Sequence, residues 1–423
     1  MSFIEELKWR GMLQDITPGL EEEMEKGSIV GYIGYDPTAP SLTIGNLVTI
    51  MLLKHLQLAG HRPIVLIGGA TGRIGDPSGK DKERTLLELD TLNENIERFK
   101  LQFGKFLDFE GPNAAIMLNN YDFYANMSIF EFLRDIGKNL TVNYMMSKDS
   151  VKSRIASESG ISFTEFSYQL IQGYDFQHLY KNNNCILQMG GGDQWGNITT
   201  GTELIRKSGG KGYALTCPLL MNAQGVKFGK SEAGNVWLAP DMTSPYKFYQ
   251  FWLNVLDLDL PKLFRMFSLR SKEEIEALEA EHTNPNELKR LLAAELTERV
   301  HSKADLESVE RATAIAFNPK LEEDFLRSLS VEELTMVSEE LVSFNFDKKA
   351  LEVGVNIVDL LVGNHEDLKS KGDVKRAIKG GAIAVNTVKV DNEELIVNAD
   401  SLLHGKFIFL QNGKKKKFLL VAE

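Results

Sequence analysis

A chain of 423 residues with a net formal charge of −11 is too long for one ordinary hydrophobic core and predicts two or three domains. Its 43% hydrophobic and 25% charged residues are typical of a soluble globular protein. It contains no run of about 18 apolar residues that predicts a membrane span, and its N-terminus lacks the apolar segment of a secretory signal. Cys185 and Cys217 are too far apart to indicate a metal cluster or a disulfide framework. We therefore expect a cytoplasmic protein that binds no membrane.

The charge is unevenly distributed along the chain. Residues 369–417 contain eleven Lys or Arg against five Asp or Glu, which leaves the rest of the chain with a net charge of −17. An acidic body with a basic C-terminal part is typical of an appendage that contacts RNA. On charge alone, a solvated surface without a partner is an equal alternative.

The first half of the chain alternates β-rich runs with helical patterns, which predicts a parallel α/β sheet. The predicted strands are 28–34, 63–68, 114–119 and 184–189, and the predicted helices are 45–58 and 194–207. From about 245 to 300 the apolar spacing predicts helices without strands, and 319–350 is an acid-rich transition. From 352 the segments are short and mixed, and they end in a hairpin predicted at Asn412 and Gly413.

Three glycine-rich segments follow predicted strands, at 31–34, 68–72 and 190–193. Loops at the carboxyl ends of parallel strands line the ligand crevice of such sheets. Glycine in these loops lets backbone N–H groups approach a phosphate or ribose closely. One such loop also serves a plain turn, but three after separate strands favour a nucleotide site.

The segment 75–80 resembles a P-loop but fails its requirements. Its glycine spacing is one residue short, and Asp81 stands where Ser or Thr should bind magnesium. A P-loop NTPase is therefore not expected. Lys80 and Arg84 are candidates to pair with phosphate, with a plain surface role as the alternative.

The segment KFGKS at 227–231 places Lys227 and Lys230 on either side of a glycine. A mobile loop of this kind can bring two ammonium groups onto a pyrophosphate as negative charge builds on it. Taken alone, two lysines at this spacing are common in proteins and identify nothing.

Five blocks in the sequence jointly resemble class I aminoacyl-tRNA synthetases, and specifically the bacterial tyrosyl-tRNA synthetases. They are YIGYDPTAPSLTIGN, GGATGRIGDPSGK, FTEFSYQLIQGYDF, GGGDQWGNI and KFGKS, in the order of that family. KFGKS is similar to the family's KMSKS loop, and TIGN stands where its HIGH signature is expected. The resemblance covers nearly the whole chain. It implies a tyrosine–tRNA ligase, which activates L-tyrosine with ATP to tyrosyl-adenylate plus pyrophosphate and transfers tyrosine to the 3′ end of tRNA(Tyr).

The resemblance also implies the fold class and domain boundaries. We expect an α/β protein with a Rossmann-like parallel-sheet catalytic domain, then a helical domain and a small C-terminal α+β RNA-binding domain. The catalytic domain, which binds ATP and tyrosine, is expected at 1–220, and the lysine loop with the helical domain at 221–320. A linker is expected at 321–350, and a basic domain similar to a ribosomal small-subunit protein at 351–423.

The tyrosine pocket follows from the resemblance, residue by residue. Tyr32 and Asp175 match the pair that binds the phenolic hydroxyl of the substrate. The full set of matching tyrosine-binding positions is Tyr32, Thr71, Asp76, Asn120, Tyr168, Gln172, Asp175 and Gln194. Viewed singly, Tyr32 and Tyr168 could be core aromatics, and Asp175 could be a helix cap.

The ATP site follows in the same way. The matching ATP-binding positions are Gly34, Asp36, Gly45, Thr49, Gly192, Asp193 and Lys230. The resemblance assigns transition-state contacts with the β- and γ-phosphates to Thr38, Thr43, Lys80, Arg84, Lys227 and Lys230. It places Asn46, the remaining catalytic candidate, near the ribose and triphosphate. Mg²⁺ is expected to arrive with ATP, held mostly by the phosphates, because the sequence offers no dedicated carboxylate cluster.

The residues suit this chemistry without a general base. Adenylation attacks the α-phosphate with a carboxylate, which is already a nucleophile at neutral pH. Catalysis can then depend on positioning two substrates and on neutralising the departing pyrophosphate. A pocket built around a phenol rejects phenylalanine because its buried polar groups would stay unpaired, and tyrosyl-tRNA synthetases are themselves the usual example of this effect.

One signature departs from the family. Thr43 and Asn46 replace both histidines of the HIGH signature. The Asn46 amide can still donate a hydrogen bond, whereas the shorter Thr43 side chain puts the direct reach to the γ-phosphate in doubt. This departure keeps open an alternative function, a synthetase-like RNA-binding or regulatory protein with weakened catalysis. A tryptophan enzyme of the same fold is a more distant alternative, because the Tyr32–Asp175 pair favours a phenol.

The remaining expectations concern partners. The residues that we expect to contact tRNA are Arg206, Lys207, Lys371, Lys375, Arg376 and Lys379, the last four on one predicted helix. For Arg206 and Lys207 a plain surface role is an equal alternative. The family implies a homodimer formed through the segment around 128–165.

Overall fold

The fold is described from a computed structural model, which covers residues 1–78, 87–157, 160–231, 234–318, 321–364, 367–413 and 416–423. The chain divides into two compact units, Met1–His301 and Ser302–Glu423. No helix in these ranges is long and apolar enough to cross a membrane.

The first unit is built on a mostly parallel sheet. The strands of this sheet are β1 (Asp15–Ile16), β2 (Val30–Tyr35), β3 (Arg62–Ile67), β4 (Ile116–Asn119), β5 (Cys185–Gly191) and β6 (Tyr213–Cys217). Two further short strands, β7 (Lys230–Ser231) and β8 (Gly234–Asn235), form a hairpin that includes the end of the KFGKS segment, and we call it the lysine-loop hairpin. The described strands of the main sheet lie in the order β1-β6-β5-β2-β3-β4, with only β1 antiparallel to its neighbour. The order reverses beside β2, and ligands bind at such a reversal in open parallel sheets.

Helices cover this sheet and extend beyond it. They are α1 (Phe3–Arg10), α2 (Leu20–Glu25), α3 (Ile44–Leu58), α4 (Leu89–Phe103), α5 (Tyr121–Tyr124), α6 (Ile129–Glu131), α7 (Val142–Met146), α8 (Asp149–Ala156), α9 (Phe163–Asn183), α10 (Trp195–Lys207), α11 (Pro245–Leu253), α12 (Leu260–Phe267), α13 (Lys272–Glu281) and α14 (Pro285–Val300). The strands and helices predicted in the first half are confirmed to within a few residues. The helical character predicted from 245 to 300 is also confirmed.

One glycine segment lies elsewhere than predicted. Residues 31–34 belong to β2 itself rather than to a loop after it. A Cβ at Gly31 would come 2.9 Å from Leu56 Cδ2, so packing of α3 on the sheet requires this glycine. The segments at 68–72 and 190–193 do lie at the carboxyl ends of β3 and β5.

The second unit combines helices with a five-stranded sheet. Its helices are α15 (Lys303–Phe317), α16 (Glu323–Arg327), α17 (Val331–Glu340), α18 (Lys348–Val353), α19 (Ile357–Leu361) and α20 (Lys371–Lys379). Its strands are β9 (Val342–Phe346), β10 (Val355–Asn356), β11 (Ile383–Val385), β12 (Val388–Lys389), β13 (Ile396–Val397), β14 (Phe407–Asn412) and β15 (Lys416–Ala422). Among the described residues the larger sheet has the order β12-β11-β14-β15-β9, and β14 pairs with β15 in the hairpin predicted at Asn412.

The segment 321–350 differs from the linker that was expected there. It contains α16, α17 and β9, and β9 pairs in parallel with β15 at the C-terminus. β9 is an edge strand of this sheet, and its backbone hydrogen bonds to the sheet depend on β15, so this segment belongs to the second unit. The contact boundary lies after His301, and the boundary predicted at 220 stays a prediction.

Helices α9 and α10 pack closely against each other at Gly201. An added Cβ at Gly201 would lie 2.8 Å from Phe176 Cβ and Cδ1. We expect Gly201→Ala to lower the free energy of unfolding by about 1–3 kcal/mol through overpacking, measured by urea denaturation. Gly196→Ala, on the same helix but 3.7 Å from its nearest neighbour Lys148, is the control and should not destabilise. Equal stability of the two variants would contradict this packing.

Candidate active site

A cavity of about 490 Å³ opens at the carboxyl ends of the parallel strands. The ends of β2, β3, β5 and β6 all contribute to its lining, together with α3 and α9. Carboxyl ends of neighbouring parallel strands meet at one edge of a sheet, which is where such folds place their ligands. The cavity is therefore the candidate active site.

Asp175 is a buried carboxylate on α9 in the wall of this cavity, 2% exposed. Asn120 Nδ2 donates to its Oδ2 over 2.9 Å, and the Tyr124 hydroxyl donates to its Oδ1 over 2.7 Å. Burial raises the pKa of Asp175 to about 7, while these two hydrogen bonds act in the opposite direction. Asp175 can accept a further hydrogen bond from a ligand, because each carboxylate oxygen has two lone pairs.

A chain of hydrogen bonds continues from Asn120 across the pocket. Asn120 Nδ2 also donates to Thr71 Oγ1 over 3.0 Å, and Thr71 Oγ1 donates to Asp36 Oδ1 over 2.5 Å. The Tyr168 hydroxyl donates to Asp36 Oδ2 over 2.8 Å. Side chains from the segments that follow β2, β3 and β4 are thereby joined with α9 in one network, which preorganises the pocket.

Four buried polar atoms in residues that line the cavity have no hydrogen-bond partner among the described residues. They are the hydroxyls of Tyr32 and Tyr35, Gln172 Oε1 and Gln188 Oε1. Tyr32 and Gln188 are Cα partners on β2 and β5, and burial raises the pKa of Tyr32 well above its usual value. An unpaired buried polar group costs free energy, so these atoms are suited to a polar ligand.

A second polar cluster lies around Asp76. Gln194 Nε2 donates to Asp76 Oδ2 over 2.6 Å, and Asn197 Nδ2 donates to Asp76 Oδ1 over 3.3 Å. The Ser78 backbone N–H donates to Asp76 Oδ1 over 3.0 Å. This cluster joins the loop after β3 to the start of α10, so that Asp76 and Gln194 reach the cavity together.

Thr43 and Asn46 meet at the start of α3. Thr43 is the N-cap, and the two side chains form a reciprocal capping box. The Asn46 backbone N–H donates to Thr43 Oγ1 over 3.4 Å, and the Thr43 backbone N–H donates to Asn46 Oδ1 over 3.0 Å. The Thr43 hydroxyl also donates to Asn46 Oδ1 over 2.8 Å.

The lysine-loop hairpin packs against the same helix start. The Val236 N–H donates to Gly229 O over 2.9 Å, and the Ile44 N–H donates to Val236 O over 3.1 Å. Gly229 has φ +89°, and a Cβ there would come 3.5 Å from Gly45 N. The hairpin thus brings Lys227 to the wall of the cavity.

Phe228 anchors this hairpin on an aromatic cluster. Its ring centroid lies 5.2 Å from that of Phe251 and 5.8 Å from that of Trp252 on α11. Trp252 is fully buried, so Phe228 ties the loop to the core of the helical region.

The cavity brings together most of the residues predicted from sequence. All eight tyrosine-binding candidates line it, and so do the ATP-site and catalytic candidates Gly34, Asp36, Thr38, Thr43, Gly45, Asn46, Thr49, Asp193 and Lys227. Lys80 and Arg84 lie outside the described residues, as does the side chain of Lys230. These placements leave the individual roles as predictions.

Gly192 is the exception among the described candidates. It is not part of the cavity lining, and an added Cβ there would collide with the amide of Gln14. Its neighbour Asp193 does line the cavity, where burial raises the pKa of the Asp193 carboxyl and the charge of Lys227 opposes this. Gly192 therefore allows close packing against Gln14, next to the ATP-binding candidate Asp193.

Sequence reasoning missed Tyr124, Asn197 and Gln188. Tyr124 lies four residues after Asn120 on a short helix, which is a weak signal among the many tyrosines of the chain. Asn197 is one turn after Gln194 on α10, a spacing that could have placed both on one face. Gln188 is a polar residue inside an otherwise apolar strand. Of the three residues, it carried the clearest sequence signal of a place in the site.

The two tRNA candidates of the first unit lie away from the cavity. Arg206 and Lys207 are at the far end of α10, a helix of 13 residues, so about 20 Å separates them from its start. Arg206 forms an ion pair with Glu203 at 2.8 Å, and Lys207 donates to Asn139 O. Both positions stay predictions.

The C-terminal candidates share one helix, as expected. Lys371, Lys375, Arg376 and Lys379 all belong to α20 in the second unit. Three of them form surface ion pairs: Lys371 with Asp359, Lys375 with Glu393 and Arg376 with Asp373. Exposed ion pairs of this kind are weak, so the phosphate groups of an RNA backbone can replace the Asp and Glu side chains as partners of these cations.

No group of three or more His, Cys, Asp or Glu that could hold a metal ion occurs in the described ranges. The carboxylates of Asp36, Asp76 and Asp175 are each held by hydrogen bonds to protein groups instead. The donor set thus fits a cation that is held chiefly by phosphates.

Comparison with known families covers nearly the whole chain. The family described as "tRNA synthetases class I (W and Y)" matches residues 24–318. The family described as "Tyrosine--tRNA ligase SYY-like C-terminal domain" matches residues 335–421. The first match alone spans more than half of the chain.

Curated relatives and solved structures agree with this. The chain is similar to proteins named tyrosine–tRNA ligase from Bacteroides thetaiotaomicron, 52% identical over 431 residues with 100% of each chain covered, and from Cytophaga hutchinsonii, 53% identical with 99% of each covered. It is also similar to a C-terminally truncated mitochondrial tyrosyl-tRNA synthetase from Coccidioides posadasii, 30% identical with a TM-score of 0.64, covering 73% of this chain and 91% of that one. The chain belongs to the class I tRNA synthetase family of tryptophan and tyrosine enzymes, and within it to the tyrosine–tRNA ligases.

Proposed function

We propose that this chain activates L-tyrosine with ATP and transfers it to tRNA(Tyr). The observation that carries the proposal is the buried pocket around Asp175, beside which Tyr32, Gln172 and Gln188 have polar atoms without a hydrogen-bond partner in the part of the chain that the structure describes. A phenolic hydroxyl can donate to Asp175 and accept from Tyr32, and it thereby satisfies both groups. The indole of tryptophan is a donor only and leaves the Tyr32 hydroxyl without an acceptor.

The first step joins the two substrates. The α-carboxylate of tyrosine attacks the α-phosphorus of ATP, a C–O–P bond forms, and pyrophosphate leaves with the electron pair of the broken P–O bond. Lys227 approaches the cavity on its hairpin and neutralises charge on the departing pyrophosphate. In the second step a ribose hydroxyl at the 3′ end of tRNA attacks the carbonyl carbon, and AMP leaves.

Other features of the proposal follow from the same chemistry. Mg²⁺ arrives bound to the ATP phosphates, where it offsets their negative charge. The basic face of α20 binds the tRNA backbone. The protein acts in the cytoplasm, where tRNA, ATP and tyrosine are available together.

The chain is proposed to form a homodimer through the segment 128–165. This segment exposes a group of large apolar side chains, namely Ile129, Phe130, Leu133, Val142, Met146 and Phe163. Phe130 and Phe163 are each 80% exposed. Apolar side chains clustered on a surface mark an interaction site, and a second copy of the chain is the occupant that the family implies.

The first test is pyrophosphate exchange with tyrosine, tryptophan and phenylalanine in turn. We expect exchange with tyrosine only, and no exchange with any of the three would favour the non-catalytic alternative. Tyr32→Phe should raise the KM for tyrosine by about tenfold, the worth of one hydrogen bond, and should narrow the preference over phenylalanine. Tyr213→Phe, a buried tyrosine outside the cavity lining, is the control and should change neither value.

The second test separates activation from transfer. A chain that ends at His301 keeps the cavity and loses the second unit, so we expect tyrosyl-adenylate formation to persist and tRNA(Tyr) charging to fall below detection. The truncation is placed at His301 because a cut at residue 352 would leave β9 without its partner β15. Undiminished charging by the shortened chain would contradict an RNA-binding role for the second unit.

The third test concerns the apolar segment. Phe130→Asp places a charge in the proposed interface and should convert the dimer to a monomer in sedimentation equilibrium. Leu258→Asp is the matched control, because Leu258 is 85% exposed but lies outside 128–165, and it should stay dimeric. A wild-type chain that sediments as a monomer would overturn the proposal.

A further inference from the structure

At the start of α3 a capping box joins Thr43 and Asn46, the two residues that replace the signature histidines, and gives their side chains different hydrogen-bonding roles. Asn46 Oδ1 accepts two hydrogen bonds, one from the Thr43 backbone N–H at 3.0 Å and one from the Thr43 hydroxyl at 2.8 Å. An amide oxygen has no proton to give, so the hydroxyl proton of Thr43 must point at Asn46. Phosphate oxygens accept hydrogen bonds, and Thr43 has no proton left to offer them.

The opposite is true of the Asn46 amide group. A carboxamide is planar, so fixing Oδ1 toward Thr43 directs Nδ2 to the other side of Cγ. Within the described part of the chain, Nδ2 has no hydrogen-bond partner, and Asn46 lines the cavity together with Lys227. Asn46 therefore presents two N–H donors that are already oriented and available to a triphosphate.

We propose that Thr43 is a positioning residue which orients Asn46, and that Asn46 is the member of the pair that contacts the triphosphate of ATP. This inference rests on the proposed adenylation activity, and it replaces the direct phosphate contact that the sequence predicted for Thr43. Neither side chain titrates near neutral pH, so the protein side of this contact carries no pH-dependent charge, unlike a contact made by histidine.

The neighbouring backbone supports this division. The Ile44 N–H is bonded to Val236 O, which fixes the residue after Thr43 to the lysine-loop hairpin. Thr43 also forms an isolated antiparallel bridge with Trp237. The backbone at Thr43 is thus held by contacts from outside the helix. The position of the Thr43 hydroxyl, and with it the orientation of the Asn46 amide, is thereby fixed.

A double-mutant cycle on pyrophosphate exchange tests the proposal. Thr43→Val removes the hydroxyl with little change of shape and should lower kcat by about tenfold, the factor that one hydrogen bond contributes, with the KM for tyrosine unchanged. In the Asn46→Ala background the same substitution should change kcat by less than about twofold, because a residue that acts only through its partner has no effect once the partner is gone. Equal losses in both backgrounds would show a direct phosphate contact by Thr43 and overturn the proposal.

Two further variants distinguish the positioning role of Thr43 from a general loss of helix structure. Thr43→Ser retains the hydroxyl and should recover most of the kcat lost in Thr43→Val, and failure to recover it contradicts the positioning role. Ser271→Ala removes a comparable capping box from α13, outside the cavity lining, and should leave exchange unchanged. Exchange by the wild-type chain is measured first: its absence refutes the proposed function, whereas additive losses in an active enzyme refute only this inference.

Discussion

The burial of the Asp175 carboxylate is the constraint on which the pocket depends. A carboxylate removed from water must be hydrogen-bonded, and here Asn120 and Tyr124 supply the donors. Asn120 in turn holds Thr71, and Thr71 donates to Asp36. Each side chain is thus fixed by the next, and strands far apart in sequence are joined. The polar groups of the pocket are thus oriented by the protein before any substrate enters, which favours recognition of a small polar group.

Different parts of the same cavity suit the recognition of the phenol and the binding of the phosphates. The network around Asp175 surrounds the part of the pocket suited to a phenol, whereas the start of α3 and the lysine-loop hairpin surround the part suited to phosphates. Backbone hydrogen bonds join the helix start to the hairpin through Val236. A displacement of either element is therefore mechanically linked to the other. A reaction that needs no general base can depend on this positioning alone.

The alternation of strands and helices in the first half was predictable because buried parallel strands and amphipathic helices have distinct hydrophobic periods. The 321–350 segment was not predictable in this way. Its acidic composition is typical of a linker, yet β9 pairs with β15, which lies about 70 residues later. Pairing between distant segments leaves no local pattern. Tyr124 and Asn197 were missed for the same reason, since their partners are 51 and 121 residues away.

The sequence by itself determined the family and the order of the elements, and nearly all the active-site candidates that it predicted and the structure describes do line the cavity, because motif order and local periodicity are written along the chain. Only the tertiary structure decided which of these residues form hydrogen bonds with one another. It showed that Asp36 joins the tyrosine pocket through Thr71 and Tyr168, and that Thr43 and Asn46 bond to each other. A hydrogen bond depends on distance and direction in space, and neither is fixed by residue type or spacing.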